Sequence, residues 1–408
     1  MHATAVISGS LSKNLECVEP RRQRAVWAAV DGVLRGGRAS LTCIGRSLGI
    51  ASRVKHDIKR VDQLLGNPRL FREHEAYFKA LAATVLAGER GPLLLVDWTD
   101  LGQSFWAISA AVPVEGRAVQ IYLEVHHISS LGNRLVQDAF LEKLRDVLPP
   151  GTVPIVVTDA GFQTPWFSKI EQLGWNYVGR LTSIVTLAHV DDAAAKGPAR
   201  ALFFLASPQA RDVGLHFVTQ RKHALTARII VVKEHPRGRH GSRRVSRKGV
   251  HPGSTAYKHY QRRASEPWVL ATSLRDASPR AIQLCYARRM RIEETFRDAK
   301  SSRFGWSLCD ARCSSALRYA NLLLVTALAM LAQILLGATL ERGNAHRGFQ
   351  ANTTHHKRVL SWFFLGGLAL HLSAKQRRLV EVGPKDFESI QRCVGTLLKF
   401  QDISDVRG

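Results

Sequence analysis

The chain has 408 residues, 45 % of them hydrophobic, enough for a large core and for two or three domains. Its formal charge of +25, from 58 Lys and Arg against 33 Asp and Glu, argues for a polyanionic partner held by salt-sensitive contacts. The six cysteines are widely scattered with no secretory segment beside them and read as reduced intracellular thiols; Cys309 and Cys313 have no matching His pair, which argues against structural zinc.

Residues 1 to 20 carry no apolar run of the kind a signal peptide needs, and Pro20 closes them. RRQRAVWAAVDGVLRG then predicts an amphipathic helix with Val26, Trp27, Val30 and Val33 or Leu34 inward. A short helix opened by Ser40 follows, then a turn and a basic helix carrying Arg53, Lys55, His56, Lys59 and Arg60. That helix-turn-helix order suits insertion into a DNA major groove, and equally suits a small bundle with a basic exterior. A further helix, HEAYFKALAATVLAG, leads to Gly91 and Pro92, which mark the boundary of a helical domain over 1–90.

LLLVD, SFWAISAAVP and AVQIYLEVH then read as three strands separated by turn signals at Asp100 to Gln103 and at Glu115-Gly116, an antiparallel start to a sheet. NRLVQDAFLEKLRDVLP has the helical period and returns the chain to a fourth strand, PIVVTD. The helix TPWFSKIEQLG and the strand NYVGRL follow, the latter with Arg180 placed to meet a phosphate or to face solvent. Residues 181 to about 275 exceed what a minimal core needs and read as a β-rich insertion, in which TARIIVVKE and WVLATSL are strand-like. Between them runs a Gly-rich basic tract containing Arg243 and Arg244, either a phosphate-binding segment or a solubilising loop. Residues 320 to 339 are long and apolar enough to test as a membrane span, but Asn321, Thr326 and Gln333 interrupt them, and a buried core helix is the expectation. Residues 341–408 form a C-terminal helical region.

The chemistry gathers in YARRMRIEETFRDAK. A helix starting near Ser278 and Pro279 is expected to run through it without interruption, and at about 100° per residue Tyr286, Arg289, Glu293 and Lys300 fall within roughly 60° of one another. One face then offers a phenol, a guanidinium, a carboxylate and an ammonium, a set suited to a metal and phosphates, or simply a solvated face with i,i+4 ion pairs. Asp97 ends LLLVD and Asp159 ends PIVVTD, so both sit at strand tips, where they either converge over one sheet or merely terminate strands. Converging carboxylates repel unless cations neutralise them, and with Glu293 as a third they would suit two divalent ions about 3.5 to 4 Å apart, an arrangement for phosphoryl transfer.

With these blocks in this order, the chain resembles DDE transposases of bacterial insertion sequences, in the group whose third acidic residue lies in Y-x2-R-x3-E-x6-K. Here that motif is Tyr286, Arg289, Glu293 and Lys300, with Asp97 in LLLVDWTD and Asp159 in VVTDAGF as the first two acids. The resemblance implies an α/β fold with an RNase-H-like catalytic core over 91–340, its β-rich insertion at about 181–275, and helical regions on either side. It implies Asp97, Asp159 and Glu293 as catalytic metal ligands for two Mg²⁺ or Mn²⁺ ions. Tyr286, Arg289 and Lys300 become DNA contacts, Trp268 a stacking platform for a flipped base, and the basic residues of 1–90 part of end recognition. Met290 departs from relatives with Trp after the motif Arg, which removes a second indole from the expected set. Also implied are a homodimer on double-stranded DNA with terminal inverted repeats, joining to target DNA, a hairpin route, and a cytoplasmic, nucleoid-associated location without a membrane. Two competing readings remain at this point: a nuclease of the same fold that cuts without joining, and a non-catalytic DNA-binding remnant.

Overall fold

The computed structural model describes residues 2–49, 53–220, 223–234, 266–351, 353–354, 357–372 and 382–395. The chain divides into two compact units, the first made of Met1–Val157 and Arg288–Phe400, the second of Thr158–Ala287 and Gln401–Gly408. The basic tract with Arg243 and Arg244 lies outside the described residues.

The first unit opens with α1 (His2–Ser12), an element the sequence reading missed, seated by buried Ala3, Ile7 and Leu11 at helical spacing. In α2 (Pro20–Gly36), Glu19 caps the first turn, Pro20 takes the first helical position, and Val26, Val30, Val33 and Leu34 are buried as expected. Ser40 precedes α3 (Leu41–Arg46), and α4 (Val54–Leu65) and α5 (Pro68–Leu86) follow, the last capped by the Asn67 side chain. The sheet then begins with β1 (Leu93–Gly102), β2 (Phe105–Val114) and β3 (Arg117–His127), paired antiparallel. Their turns fall on the signals named above, with left-handed backbone at Gly102, Gln103, Ser104 and Gly116. α6 (Arg134–Val147), capped by Asn133, leads to β4 (Ile155–Thr158), which lies beside β1 in the order β3-β2-β1-β4.

The second unit contains α7 (Thr164–Gln172), β5 (Asn176–Arg180), β6 (Thr186–His189), β7 (Asp192–Pro198), β8 (Arg211–Gln220), β9 (His223–Val232), β10 (Trp268–Thr272) and α8 (Pro279–Ala287). Its strands run in the order β5-β10-β9-β8-β6-β7, and each neighbouring pair with a recorded register is antiparallel. Phe167 stacks on Tyr177 at 4.7 Å and lies so close to Gly179 that an added Cβ would meet the ring at 2.2 Å, so only glycine fits there. Arg228 on β9 holds Asp212 of β8 at 2.6 Å and donates to the Arg275 carbonyl at 2.9 Å, tying the hairpin to the segment that enters α8.

The chain re-enters the first unit with α9 (Met290–Lys300), then α10 (Ala316–Arg342), α11 (Trp362–Leu370) and α12 (Pro384–Gly395). α10 is apolar on all sides and buried throughout its most apolar stretch, as a helix without a polar face must be when it forms a core. The polar residues that interrupt it are satisfied inside: Asn321 donates to the Leu65 carbonyl at 2.9 Å and the Asn67 carbonyl at 3.1 Å, and Gln333 donates to the Phe363 carbonyl at 2.8 Å. Helices α10 and α11 cross in close contact because Gly337 and Gly366 offer no Cβ; one added at Gly366 would lie 1.7 Å from the Gln333 carbonyl oxygen.

Candidate active site

The expected uninterrupted helix across the motif is corrected by the structure. α8 ends at Ala287 and α9 starts at Met290, with i→i−3 hydrogen bonds from Arg291 to the Arg288 carbonyl at 2.9 Å and from Ile292 to the Arg289 carbonyl at 3.2 Å. Tyr286 therefore closes a helix of the second unit, whereas Arg289, Glu293 and Lys300 belong to the first. Tyr286 is 3 % exposed, with its ring edge-on to Trp268 at 4.8 Å between centroids. Trp268 opens β10, and Arg180 closes β5 half-buried.

Asp97 also differs from its expected place at a strand tip. It is the fifth of ten residues in β1 and pairs with Ser109, because the hairpin with β2 supplies backbone partners well beyond it. Side chains alternate along a strand, so Asp97 and Thr99 share one face. The motif helix α9 lies on that face. Arg117 at the start of β3 pairs with Glu294 at 3.1 Å and with Asp298, and Thr295 accepts the Ala118 N–H at 2.8 Å. Burial raises the Asp298 carboxyl above its usual range, although the Arg117 guanidinium opposes that. This clamp, whose partners are far apart in sequence, had no sequence signal.

Held in this way, α9 brings its functional groups to β1. Lys300 donates to the Thr99 hydroxyl at 2.6 Å. Arg289 Nη1 lies 2.6 Å from Glu293 Oε1 and 3.6 Å from Asp97 Oδ2, so carboxylates nearly two hundred residues apart in sequence converge on one nitrogen. Glu293 sits in the first turn of α9 and Lys300 in the last, each on the end of the helix dipole that favours its charge. The guanidinium takes the position of a cation between two hard oxygen donors, so Asp97 and Glu293 fit a divalent ion of the Mg²⁺ type. Asp159 belongs to the second unit, immediately after β4, where its Oδ1 accepts the Gly161 N–H at 2.8 Å. Among the described residues, no group of three or more His, Cys, Asp or Glu side chains is gathered as a metal-holding set.

On the opposite face of the same strands, Glu124 is held by groups the sequence reading did not single out. It accepts from the Tyr122 hydroxyl at 2.6 Å, pairs with His126 Nε2 at 2.8 Å and accepts from Lys143 at 3.0 Å. Burial pushes this carboxyl upward, but hydrogen bonds from His126, Tyr122 and Lys143 outweigh it and hold it at about 2. Arg53, Lys55, Lys59 and Arg60 are exposed at and along α4, with Arg60 3.2 Å from Asp57.

Two comparisons with known proteins bear on this arrangement. A model of the transposase DDE domain matches residues 132–330, a stretch that includes Asp159, Glu293 and Lys300 and begins after Asp97. No curated protein matches the chain. Domains of this family act on DNA and generally use divalent metal ions. A mixed sheet flanked by helices, carboxylates converging on a cation and the match over the motif helix together identify a transposase DDE domain in this chain.

Proposed function

We propose that the protein is a DNA transposase of the group with the Y-x2-R-x3-E-x6-K motif, built on an RNase-H-like core. Water would cut one strand at a transposon end to leave a 3′-OH, and that oxygen would then attack a phosphodiester in line, directly in target DNA or first across the duplex as a hairpin. The observation that carries this reading is the convergence of Asp97 and Glu293 on Arg289, on the strand face that Lys300 also reaches. Asp97, Asp159 and Glu293 are the residues that would hold two Mg²⁺ or Mn²⁺ ions. Bound there, such ions supply charge neutralisation and Lewis acidity for phosphoryl transfer.

The chain's own groups do the rest. Arg289 and Lys300 provide charge for the scissile region of the backbone, the guanidinium as a planar fork and the ammonium as a point charge. Trp268 provides a ring for an extruded base and Tyr286 buttresses that ring, as their edge-on contact suits. Exposed Arg53, Lys55, Lys59 and Arg60 give the 1–90 region its charge for reading transposon ends, with Arg180, Arg243 and Arg244 as further backbone contacts. Residues 91–340 carry the catalytic domain with its insertion at about 181–275, and 341–408 support a homodimer on DNA.

The test incubates purified protein with Mg²⁺ and linear DNA bearing the flanking inverted repeats, and resolves products on a denaturing gel. Nicks at the repeat boundary followed by joined strands or hairpins, all lost in Glu293→Ala, are the expected result. Cutting without joining would make the protein a nuclease. Binding without cutting under Mg²⁺ and Mn²⁺ alike would make it a non-catalytic DNA-binding protein.

A further inference from the structure

The Arg289 side chain is 12 % exposed and its Nη1 and Nε are closed off from solvent, with the adjoining Nη2 3.7 Å from the Met290 sulfur. A guanidinium does not lose its proton, so this is a fixed positive charge held against Glu293 at 2.6 Å and Asp97 at 3.6 Å. It relieves the repulsion between the two carboxylates and uses oxygens that a divalent ion would need. Two cations cannot share those oxygens cheaply, because like charges at contact distance repel most strongly where water is excluded. Either the guanidinium leaves or the ion binds weakly.

The surroundings give Arg289 a way to leave. It stands at the junction of two helices, before the first residue of α9, so its side chain can turn away without unwinding that helix. A DNA phosphate offers the same planar fork a two-pronged partner of matching charge.

We infer that Arg289 is a displaceable internal counter-ion: it occupies the Asp97–Glu293 pair until DNA phosphate draws it off, and so makes metal binding and DNA binding mutually reinforcing. This rests on the reading of Asp97 and Glu293 as metal-holding residues. Reciprocity follows from linkage: whatever factor DNA adds to metal affinity, metal adds to DNA affinity. The free protein would then have low metal affinity, and its carboxylates would become available only where a phosphate is present to be cut.

The experiment measures Mn²⁺ binding to the full chain by calorimetry and by the electron paramagnetic resonance signal of free Mn²⁺, with and without a pre-cleaved terminal-repeat duplex. Without DNA, Arg289→Ala is expected to bind Mn²⁺ about tenfold more tightly than wild type, within the usual range of coupling between sites. Arg289→Gln, which keeps a polar side chain without the charge, is expected to show the same gain, and Arg289→Lys none. Adding the duplex is expected to tighten Mn²⁺ binding in wild type by a similar factor and to leave Arg289→Ala unchanged. Uncharged Arg289 variants that bind Mn²⁺ no better than wild type, while Glu293→Ala binds it worse, would overturn the counter-ion role alone. Glu293→Ala binding Mn²⁺ as well as wild type would overturn the metal reading beneath it.

Discussion

The two faces of the β1–β3 sheet hold their carboxylates in opposite ways. On one, Glu124 receives Tyr122, His126 and Lys143 and stays ionised down to a pH of about 2. On the other, Asp97 and Glu293 lean on a shared guanidinium, and Glu293 remains more than a third exposed. A carboxylate whose lone pairs are taken by several fixed donors is built into the fold. One that shares a cation with a second carboxylate, as Glu293 does while still partly exposed, is held by fewer fixed donors. The two faces thus carry carboxylates told apart by their partners rather than by their burial alone.

The sharpest way to break this contrast is to remove each acid in turn. Asp97→Ala or Glu293→Ala is expected to lower cleavage of repeat-bearing DNA by at least about a hundredfold, the scale of losing one group that stabilises transition-state charge. Far-ultraviolet circular dichroism should stay that of wild type. Glu124→Ala should do the reverse. It strands the buried Tyr122 hydroxyl and the half-buried His126, and removes the partner of exposed Lys143, and should cost about 3 kcal/mol in urea unfolding.

The pH dependence follows from the depressed value. Glu124 has a folded pKa of about 2 against an ordinary 4.5, so its contribution is fully present above about 4.5 and is lost as pH falls from there to about 2. At about 1.4 kcal/mol per unit this again amounts to about 3 kcal/mol, and unfolding curves of Glu124→Gln should show a much smaller decline over that window.

A smaller effect is expected at Lys300. Lys300→Met removes one phosphate-seeking charge and should reduce the slope of log affinity for duplex against log salt by about 1, read by fluorescence anisotropy. The smallest belongs to Arg60, exposed and paired across one helical turn with Asp57. Arg60→Ala should change unfolding free energy by less than about 1 kcal/mol while still weakening duplex binding.

Much of the fold was legible because local chemistry and tertiary packing agree. Gly102 and Gly116 mark the strand turns, and Asn133 starts α6. The inward stripe of α2 is the one its spacing predicts. In the buried α10, the polar interruptions that argued against a membrane span are the residues hydrogen-bonded to neighbouring carbonyls. Failures occur where tertiary structure overrides local pattern. HATAVISGSLS has few strong helix formers, and α1 is seated by burial of Ala3, Ile7 and Leu11. Asp97 looked like the end of a strand because polar residues follow it, but the ladder to β2 carries β1 five residues further. No Pro or Gly marks the break at Arg288 and Arg289, so a single helix was the natural reading of that stretch. The motif spacing identified Arg289 and Glu293 as partners, while Arg117, which clamps their helix, left no trace because its partners lie 177 and 181 residues away.

The burial of α10 also bears on how the protein is made. This helix packs against α1, α2, α4, α5 and β3, all translated before it. A ribosome that has reached residue 300 has therefore released four helices and a strand whose apolar faces still await a covering segment. Asn321 adds a late fastening, since it closes onto the carbonyls of Leu65 and Asn67 at the α4–α5 corner only after more than 250 further residues have been added. Fragments ending before Ala316 should consequently need chaperones or aggregate, and the N-terminal helices should gain protease resistance only once the chain beyond Arg342 has emerged.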